Sequence, residues 1–549
     1  MKITLLITTF NAISQSYYCI LKEKNHQVDI VYAISDKQMY DEIKAFNPDI
    51  IICPYLKKFV PSNIYSVYDT FILHPGIIGD KGAYSIDNAL RNKRETWGVV
   101  ILKANGDYDD GDIYASVDFN LRTTTKSSIY RNETLNASIE ALDILLANLE
   151  DKSFIPTKQQ NTNMHLQLTQ DIRKINWQND TTQEIIDKIN YSDSYPGVLD
   201  EIMGIKCYLF GVFKEERLKS EKPKQILAKR DGAICISTID GSLWISHLKE
   251  INSFKLPATY VLKDKLKGIK EDRVPLIFDK SYSTFYELSC DIKDDIAYLH
   301  FNFLNGAFRA EQCIRLKYAF EYLKEKVKVV VLMGGADFFS NGINLNILED
   351  SKKSGEDGWS NINAINDLVY SIISANEVIT VASVKKNAGA GGVFLALACD
   401  YVVASQNTIF NPHYKTLGLS GSEYHSYTLS KRVGDDIARR LLEDCLPTMA
   451  QKAKQINMID EVFDIDSYQN DLENYCQDLI SDEDKYDDFL YDKEDYLEEN
   501  ITKINQCKNK EIKIMYDEFW NKDSIFHKLR YDFVYKICPL QTPKRFKFN

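Results

Sequence analysis

The sequence predicts an α/β protein of several domains. At roughly 100–200 residues per domain, 549 residues suggest about three domains. Short apolar runs alternate with helical spacings in residues 1–160 and again in 285–465, a pattern typical of parallel sheets covered by helices. Between them, residues 161–270 contain short β-rich segments with Gly and Asp-Gly turns, which indicate a small β-barrel domain. Residues 466–549 are predicted to form a helical extension.

Composition and charge exclude several functions. The net charge of −12 argues against nucleic-acid binding, which needs a basic face. The eleven cysteines are dispersed and form no C-x-x-C pair, which favours a reduced, cytoplasmic protein. The apolar start is predicted to be a buried strand rather than a secretion signal, and no run is long enough to enter a membrane. The eight histidines are scattered, so no metal site is expected.

In the first domain, strands are predicted at residues 3–8, 28–33, 50–53, 71–73 and 98–103, with helices at 11–24 and 36–45. Parallel sheets place their chemistry in loops beyond the strand ends. His74 directly follows one predicted strand, and Asp109 lies in the loop after another. A histidine beside a carboxylate can hold one tautomer and exchange a proton near neutral pH.

These residues lie in the sequences HPGIIGDKG, beginning at His74, and DDGD, beginning at Asp109. The two motifs resemble those of the 10-formyltetrahydrofolate transferase and hydrolase family, which implies a Rossmann-like domain with His74 and Asp109 as catalytic residues. The family also has an Asn two residues before the histidine, where this chain has Ile72. That Asn helps to stabilise an oxyanion, so its loss argues against the usual amine acceptor. A thiol acceptor, more nucleophilic as its thiolate, needs less help.

The β-rich region has predicted strands at residues 206–213, 233–237 and 243–248. Before them, the sequences RKINW from Arg173 and SYPG from Ser194 resemble the signatures with which the same family enters its C-terminal barrel. The resemblance covers about residues 1–265.

The second α/β block has predicted strands at residues 295–303, 327–333, 378–384 and 401–404, and helices at 311–326 and 393–398. The Gly-rich turn at residues 387–392 enters the second helix. Such a turn presents free N–H groups to an anionic oxygen. It lacks the Lys-Ser/Thr ending of a phosphate-binding P-loop.

Together with the sequence FSNGIN from Phe339, this turn resembles the crotonase, or enoyl-CoA hydratase/isomerase, superfamily. The resemblance implies a crotonase-like ββα domain whose oxyanion hole is formed by the N–H groups of Ile343 and Gly391, which would bind a thioester oxygen. The two glutamates that a hydratase uses to activate water are replaced by Phe394 and His413, which argues against enoyl-CoA hydration. Candidate replacements nearby are His413, Tyr414 and Glu423.

The combination of the two halves resembles the HypX/HoxX-type hydrogenase maturation proteins. That family implies synthesis of carbon monoxide for the iron of [NiFe]-hydrogenase, from 10-formyltetrahydrofolate and coenzyme A. His74 and Asp109 would serve formyl transfer to the CoA thiol, and Glu423 or Tyr414 would assist loss of the formyl proton from formyl-CoA. The partners would be these small molecules and hydrogenase maturation proteins that receive the carbon monoxide. Candidate contacts to CoA are Lys126, Arg131, Ser194 and Arg545.

Three alternatives stay open at the level of sequence. The chain could transfer the formyl group to an amine, with a degenerate second half. It could hydrolyse formyl-CoA to formate. It could also be a non-catalytic CoA-binding scaffold. Independently of these three, Lys126 and Arg131 could form surface salt bridges instead of contacts to CoA.

Overall fold

The computed structural model describes residues 1–160, 162–165 and 168–548. They cluster into two compact units. The first contains Met1–Glu271, Tyr282–Phe285 and the residues from Cys538 on, and the second contains Asp272–Ser281 and Tyr286–Ile537. The helices of the C-terminal extension thus belong to the second unit, and the tail that follows them belongs to the first.

The first unit begins with a six-stranded sheet in the order β2-β1-β3-β4-β6-β7, beside a short pair of β5 and β8. Strands β1 to β4 are parallel, as the alternation of strands and helices predicts. Strands β6 and β7 differ from that prediction because each runs antiparallel to its neighbour. The strands are β1 (Lys2–Ile7), β2 (Gln27–Tyr32), β3 (Ile50–Cys53), β4 (Asp69–His74), β5 (Asp80–Lys81), β6 (Thr96–Lys103), β7 (Ile113–Asn120) and β8 (Asn163–Met164).

The core of this sheet is formed by aliphatic strands: every residue of β3 is buried, and α1 and α6 pack together on the sheet. Asn11 caps the first helix by accepting a hydrogen bond from Ser14 N, which explains where that helix begins. The helices are α1 (Ala12–Glu23), α2 (Asp36–Phe46), α3 (Ser62–Tyr65), α4 (Ser85–Arg91), α5 (Lys126–Arg131), α6 (Glu133–Glu150), α7 (Gln170–Arg173), α8 (Thr182–Ser192) and α9 (Ala258–Leu262).

The predicted small β domain is an antiparallel sheet in the order β11-β12-β13-β10-β9, with β14 paired to β13. Trp244 is fully buried in its core and donates from Nε1 to Glu215 at 2.7 Å. The strands are β9 (Val198–Ile202), β10 (Ile205–Glu215), β11 (Ile226–Arg230), β12 (Ala233–Ser237), β13 (Ser242–Glu250) and β14 (Leu256–Pro257).

The second unit contains a six-stranded sheet in the order β15-β16-β17-β18-β20-β23 and a small sheet of β19, β21 and β22. The first pair is antiparallel and the remaining strands of the large sheet are parallel. The strands are β15 (Leu288–Lys293), β16 (Ile296–Phe301), β17 (Val329–Gly334), β18 (Ile379–Val384), β19 (Ala388–Gly389), β20 (Tyr401–Ser405), β21 (Ile409–Asn411), β22 (Thr448–Met449) and β23 (Glu461–Phe463).

The helices of the second unit cover this sheet, and the longest crosses the region that the sequence predicts to be helical. Most residues of this longest helix are polar, but Ile504, Met515 and Phe519 are buried against the second unit. The helices are α10 (Ala310–Lys324), α11 (Leu345–Asp350), α12 (Ser354–Ile373), α13 (Gly391–Leu397), α14 (His425–Val433), α15 (Asp435–Asp444), α16 (Ala450–Gln455), α17 (Tyr468–Asp478), α18 (Glu483–Trp520) and α19 (Ile525–Val534).

Four short 3₁₀ helices complete the described elements, at Lys263–Leu266, Leu304–Gly306, Tyr414–Leu417 and Lys544–Phe546. All eleven cysteines are free thiols. Among the helices of the described residues, none combines the length and apolarity that crossing a bilayer requires. The same residues contain no cluster of three or more His, Cys, Asp or Glu side chains suited to a metal ion.

Candidate active sites

The first candidate site is built around His74, the last residue of β4. The backbone after it is fixed because Pro75 O accepts hydrogen bonds from Ser85 Oγ at 2.7 Å and from Trp97 Nε1 at 3.1 Å. The imidazole is therefore presented at the end of a buried strand by a loop with little freedom.

Both ring nitrogens of His74 face carboxylates. Its Nε2 lies 2.8 Å from Asp80 Oδ2, and its Nδ1 lies 3.5 Å from Asp109 Oδ2. The Asp80 side chain is 2% exposed and that of Asp109 is 18% exposed. Asp109 is thus on the open side of the imidazole and Asp80 on the closed side.

Asp109 lies beside His74 because β6 runs antiparallel to β4, which differs from the predicted parallel sheet. Strand β6 runs antiparallel to β4, with Lys103 opposite Phe71 and Val100 opposite His74. The end of β6 therefore lies beside the start of β4, and the loop of residues 104–112 brings Asp109 back to the imidazole. Gly82 N donates to Asp109 Oδ2 at 3.0 Å and holds the carboxylate there.

Asp80 is the site residue that the sequence reasoning missed. The available signal was the glycine at 76: a Cβ on Gly76 would lie 2.4 Å from both Asp80 Oδ2 and His74 Nε2. Only glycine leaves room for that hydrogen bond. Ile72, which replaces the Asn of related formyltransferases, packs against the apolar cluster that includes Ile51 and Ile64.

The predicted CoA contacts of the first unit lie around the start of α5. Lys126 Nζ donates to Asp87 Oδ1 at 3.1 Å and to Tyr195 O at 2.8 Å, which places it beside exposed Ser194. Burial lowers the pKa of the Lys126 amine, although Asp87 opposes that shift. Lys126 therefore forms a part-buried ion pair instead of the surface salt bridge considered as its alternative.

Arg131 and Arg545 lie at the same end of the first six-stranded sheet. Arg131 Nη1 donates to Ser127 Oγ at 3.5 Å, and the neighbouring Tyr130 Oη accepts from Asn11 Nδ2 at 3.3 Å. The C-terminal tail reaches this end through Phe546, whose ring lies 4.6 Å from that of Phe10 and 5.7 Å from that of Tyr32. The structure thus brings Arg545 close to the carboxyl ends of β1 and β2, where doubly wound sheets bind ligands.

The second candidate site begins with two backbone segments. Phe308 N donates to Gly342 O and Asn344 N donates to Phe308 O, so the N–H of Ile343 takes no part in this bridge. A Cβ on Gly342 would lie 3.0 Å from Gly391 N. The two predicted oxyanion donors therefore belong to segments in direct contact.

In the Gly-rich turn, a strained backbone at Ala390 orients the N–H group of Gly391. Ala390 has φ 45° and ψ −127°, a conformation that costs a non-glycine residue about 1–3 kcal/mol. It is held by a hydrogen bond from Ala390 N to Asn411 O at 2.9 Å. Gly391 then begins α13, so its N–H has no partner within the helix.

Glu423 is buried beside this turn. Its Oε2 accepts from Tyr414 Oη at 2.6 Å and from Ser422 Oγ at 2.7 Å. A Cβ on Gly391 would lie 2.3 Å from Glu423 Oε1, an oxygen that accepts no hydrogen bond from any residue in the described ranges. Burial raises the pKa of Glu423, although the Tyr414 and Ser422 hydroxyls lower it. Burial and the charge of Glu423 together raise the pKa of Tyr414 well above its ordinary value.

The loop that carries Glu423 is also strained. Glu423 has φ 61° and Tyr424 has φ 54°, and Asn366 Oδ1 accepts from Glu423 N at 2.8 Å. Helix α18 supports the loop from outside, because Glu511 accepts from Ser426 N at 2.8 Å and lies 3.2 Å from His425 Nδ1.

Aromatic rings enclose the carboxyl group. Phe394, which stands where hydratases have a glutamate, stacks on Tyr414 with ring centroids 5.4 Å apart, and His425 packs edge-on against both rings. His413 points elsewhere: its Nδ1 lies 3.2 Å from Thr416 Oγ1, and its Nε2 faces Gly389. The structure therefore joins Tyr414 and Glu423 and leaves His413 outside their hydrogen bonds.

The fold and these sites define a two-part protein with a formyl transferase half and an enoyl-CoA hydratase/isomerase half. Residues 33–142 match the formyl transferase family, residues 167–265 match the formyl transferase C-terminal domain, and residues 291–525 match the enoyl-CoA hydratase/isomerase family. Methionyl-tRNA formyltransferase from Campylobacter jejuni is 27% identical over 43% of this chain and 76% of its own.

Full-length relatives narrow the class to one family. Hydrogenase maturation factor HoxX from Bradyrhizobium diazoefficiens is 31% identical over 99% of this chain and 96% of its own. The crystal structure of HypX from Aquifex aeolicus in complex with tetrahydrofolic acid is 38% identical, with a TM-score of 0.97 over 100% of this chain and 98% of that one. The chain belongs to the HoxX/HypX family of hydrogenase maturation factors, which confirms the resemblance read from the sequence.

Proposed function

We propose that this protein makes carbon monoxide for the active-site iron of [NiFe]-hydrogenase in two steps. The first unit transfers the formyl group of 10-formyltetrahydrofolate to the thiol of coenzyme A. The second unit splits the resulting formyl-CoA into carbon monoxide and free CoA. The relative with bound tetrahydrofolic acid supports the folate substrate, and the enoyl-CoA hydratase/isomerase fold supports the thioester. Free thiols throughout the chain suit a reducing compartment such as the cytoplasm.

In the first step the thiol sulfur bonds to the formyl carbon while the carbon–N10 bond breaks. His74 accepts the thiol proton and returns a proton to N10, so the step is balanced without water. Asp109, on the open side of the imidazole, favours the transient imidazolium. Lys126, Arg131, Ser194 and Arg545 would hold the CoA phosphates and pantetheine, since cationic side chains and hydroxyls suit those groups.

In the second step the N–H groups of Ile343 and Gly391 polarise the thioester carbonyl. Glu423 Oε1 removes the formyl proton as the carbon–sulfur bond breaks, and the electron pair of that bond leaves with sulfur. The proton then passes to the thiolate, so carbon monoxide and CoA–SH are the products. The unpaired Oε1 beside Gly391 is the observation that carries this assignment, because a base needs a free lone pair next to the bound carbonyl.

Product analysis of the full-length protein tests the proposal. We would supply isotopically labelled 10-formyltetrahydrofolate with and without CoA, follow carbon monoxide by deoxyhaemoglobin absorbance, and separate labelled formate and formyl-CoA. We expect carbon monoxide that depends on CoA. We expect none from Glu423→Gln, which should accumulate formyl-CoA, and no formyl-CoA from His74→Gln.

Each alternative predicts a different experimental result. Labelled formate in place of carbon monoxide would show hydrolysis and refute the second step. Consumption of the formyl donor with an amine and without CoA would refute the thiol acceptor. Unchanged hydrogenase maturation in cells carrying His74→Gln together with Glu423→Gln would refute catalysis and favour a scaffold.

A further inference from the structure

The segment that links the two domains of the first unit contributes to the His74 site. Strand β8 pairs in parallel with β5, so that Asn163 lies opposite Asp80 and Met164 opposite Lys81. His165 N donates to Lys81 O at 3.2 Å. This pairing aligns residues 163–165 along the loop that carries Asp80.

His165 uses this position to contact Asp80. Its Nε2 lies 2.5 Å from Asp80 Oδ1, while the other oxygen of the same carboxylate contacts His74 Nε2. One buried carboxylate therefore bridges two imidazoles. The His165 side chain is 15% exposed, against 5% for His74, so His165 is the ring closer to solvent.

A second residue of the linker ties the two loops of the site together. Gln159 Oε1 accepts from Gly79 N at 2.8 Å, and Gln159 Nε2 donates to Asp109 O at 3.2 Å. The other nearby cation, Lys81, is paired with Asp110. Among the described residues, His165 is thus a second imidazole, beside His74, that can balance the charge of Asp80.

We infer that Asp80 and His165 are positioning residues of the first site, an inference that rests on the proposed formyl transfer to CoA. Asp80 accepts the Nε2–H of His74 and thereby leaves the lone pair on Nδ1, the nitrogen that faces the open side. When His165 carries a proton, it balances the charge of Asp80. With that charge balanced, Asp80 does less to hold a proton on His74, so Nδ1 can accept the thiol proton.

The two residues make opposite predictions for pH dependence. Without the His165 charge, Asp80 stabilises protonated His74 more strongly, so the basic form appears only at higher pH. His165→Gln should shift the rising limb of the pH–rate profile for formyl-CoA formation to higher pH, with about tenfold loss below neutrality and recovery above it. Asp80→Asn should shift the limb to lower pH and lose about 10²–10³-fold at every pH, because the tautomer is no longer fixed.

The matched control is His26→Gln, the same substitution in a surface turn of the same unit, which should keep the wild-type profile. Gly76→Ala should resemble Asp80→Asn, since its Cβ would occupy the space of the His74–Asp80 hydrogen bond. A His165→Gln profile that overlays the wild type, or that falls equally at all pH values, would overturn the inference.

A failure of the proposed formyl transfer can be distinguished from a failure of the inference about Asp80 and His165. A wild-type protein that forms no formyl-CoA would refute the thiol acceptor, and NMR titration of the His74 ring would then decide the inference alone. The inference requires the titration midpoint of His74 to be higher in His165→Gln than in the wild type. An unchanged midpoint would refute it.

Discussion

In the first unit the proposed reactive side chain is a histidine between carboxylates, whereas in the second unit it is a carboxyl group among aromatic rings. His74 contacts the carboxylates of Asp80 and Asp109, and these can stabilise the imidazole ring when it gains a proton during transfer. Among the described residues, Glu423 accepts hydrogen bonds from neutral groups, and burial raises its pKa although the nearby His425 opposes that shift. The first arrangement suits transfer of a proton between two heteroatoms. The second suits removal of a proton from carbon, which needs a stronger base.

The largest functional difference between the two units is expected at Glu423. Glu423→Gln keeps the size and most hydrogen bonds but removes the base, so conversion of formyl-CoA should fall about 10³–10⁴-fold. Formyl transfer in the first unit should be unchanged and serves as the internal control. Stopped assays that quantify formyl-CoA and carbon monoxide would measure both rates. Equal loss of both activities would contradict the separation of roles.

The backbone donors of the second site have no counterpart in the first. Gly391→Ala would place a Cβ 2.3 Å from Glu423 Oε1 and displace either the N–H group or the carboxyl. We expect a loss of about 10²–10³-fold in carbon monoxide release, the range found when one oxyanion donor is removed. Gly241→Ala, in the first unit, should leave that release unchanged. A Gly391→Ala protein with normal turnover would argue against this oxyanion hole.

The phenol of Tyr414 is expected to adjust the pKa of Glu423 and not to act as the base itself. Tyr414→Phe keeps the ring stacked on Phe394 but removes a hydrogen bond that lowers the pKa of Glu423. The pKa of Glu423 should therefore rise further, and the rising limb of the pH–rate profile for carbon monoxide release should move to higher pH. We expect a loss of about 10–10²-fold at neutral pH.

Tyr427→Phe is the matched control, because its phenol pairs with Tyr496 instead. A Tyr414→Phe profile with an unchanged midpoint would show that Tyr414 acts on the substrate and not on Glu423.

The two units also differ in how far the sequence predicts them. Strand positions, His74, Asp109, the Gly-rich turn and the Tyr414–Glu423 neighbourhood follow from local patterns and from family resemblance. The antiparallel course of β6 does not, because a strand's apolar pattern is independent of its direction. Asp80 and His165 are 85 residues apart and meet only through the pairing of β5 with β8. Glu511, carried by the predicted helical extension, likewise becomes a site neighbour only in three dimensions.

Replacing Glu511 should have the smallest effect on the chemistry and a clear effect on stability. Burial lowers the pKa of His425, but Glu511, with smaller contributions from Glu423 and the Ser422 carbonyl, outweighs burial and the net pKa is raised above the ordinary 6.5. A raised histidine pKa stabilises the fold fully below about pH 6.5, and this contribution is lost as pH rises through the folded-state pKa. Glu511→Gln should therefore lower the free energy of unfolding by about 3 kcal/mol below that pH, and by less above it.

Chemical denaturation of the full chain at several pH values would measure this difference. Carbon monoxide release is expected to change less than about tenfold, because His425 and Glu511 shift the pKa of Glu423 in opposite directions and both effects weaken together. Glu518→Gln is the matched control on the same helix. Burial raises the pKa of Glu518, so a neutral amide resembles its protonated form and the cost should be smaller. A Glu511→Gln destabilisation that stays constant with pH would show that Glu511 acts through Ser426, whose N–H and hydroxyl it also accepts, and not through the charge of His425.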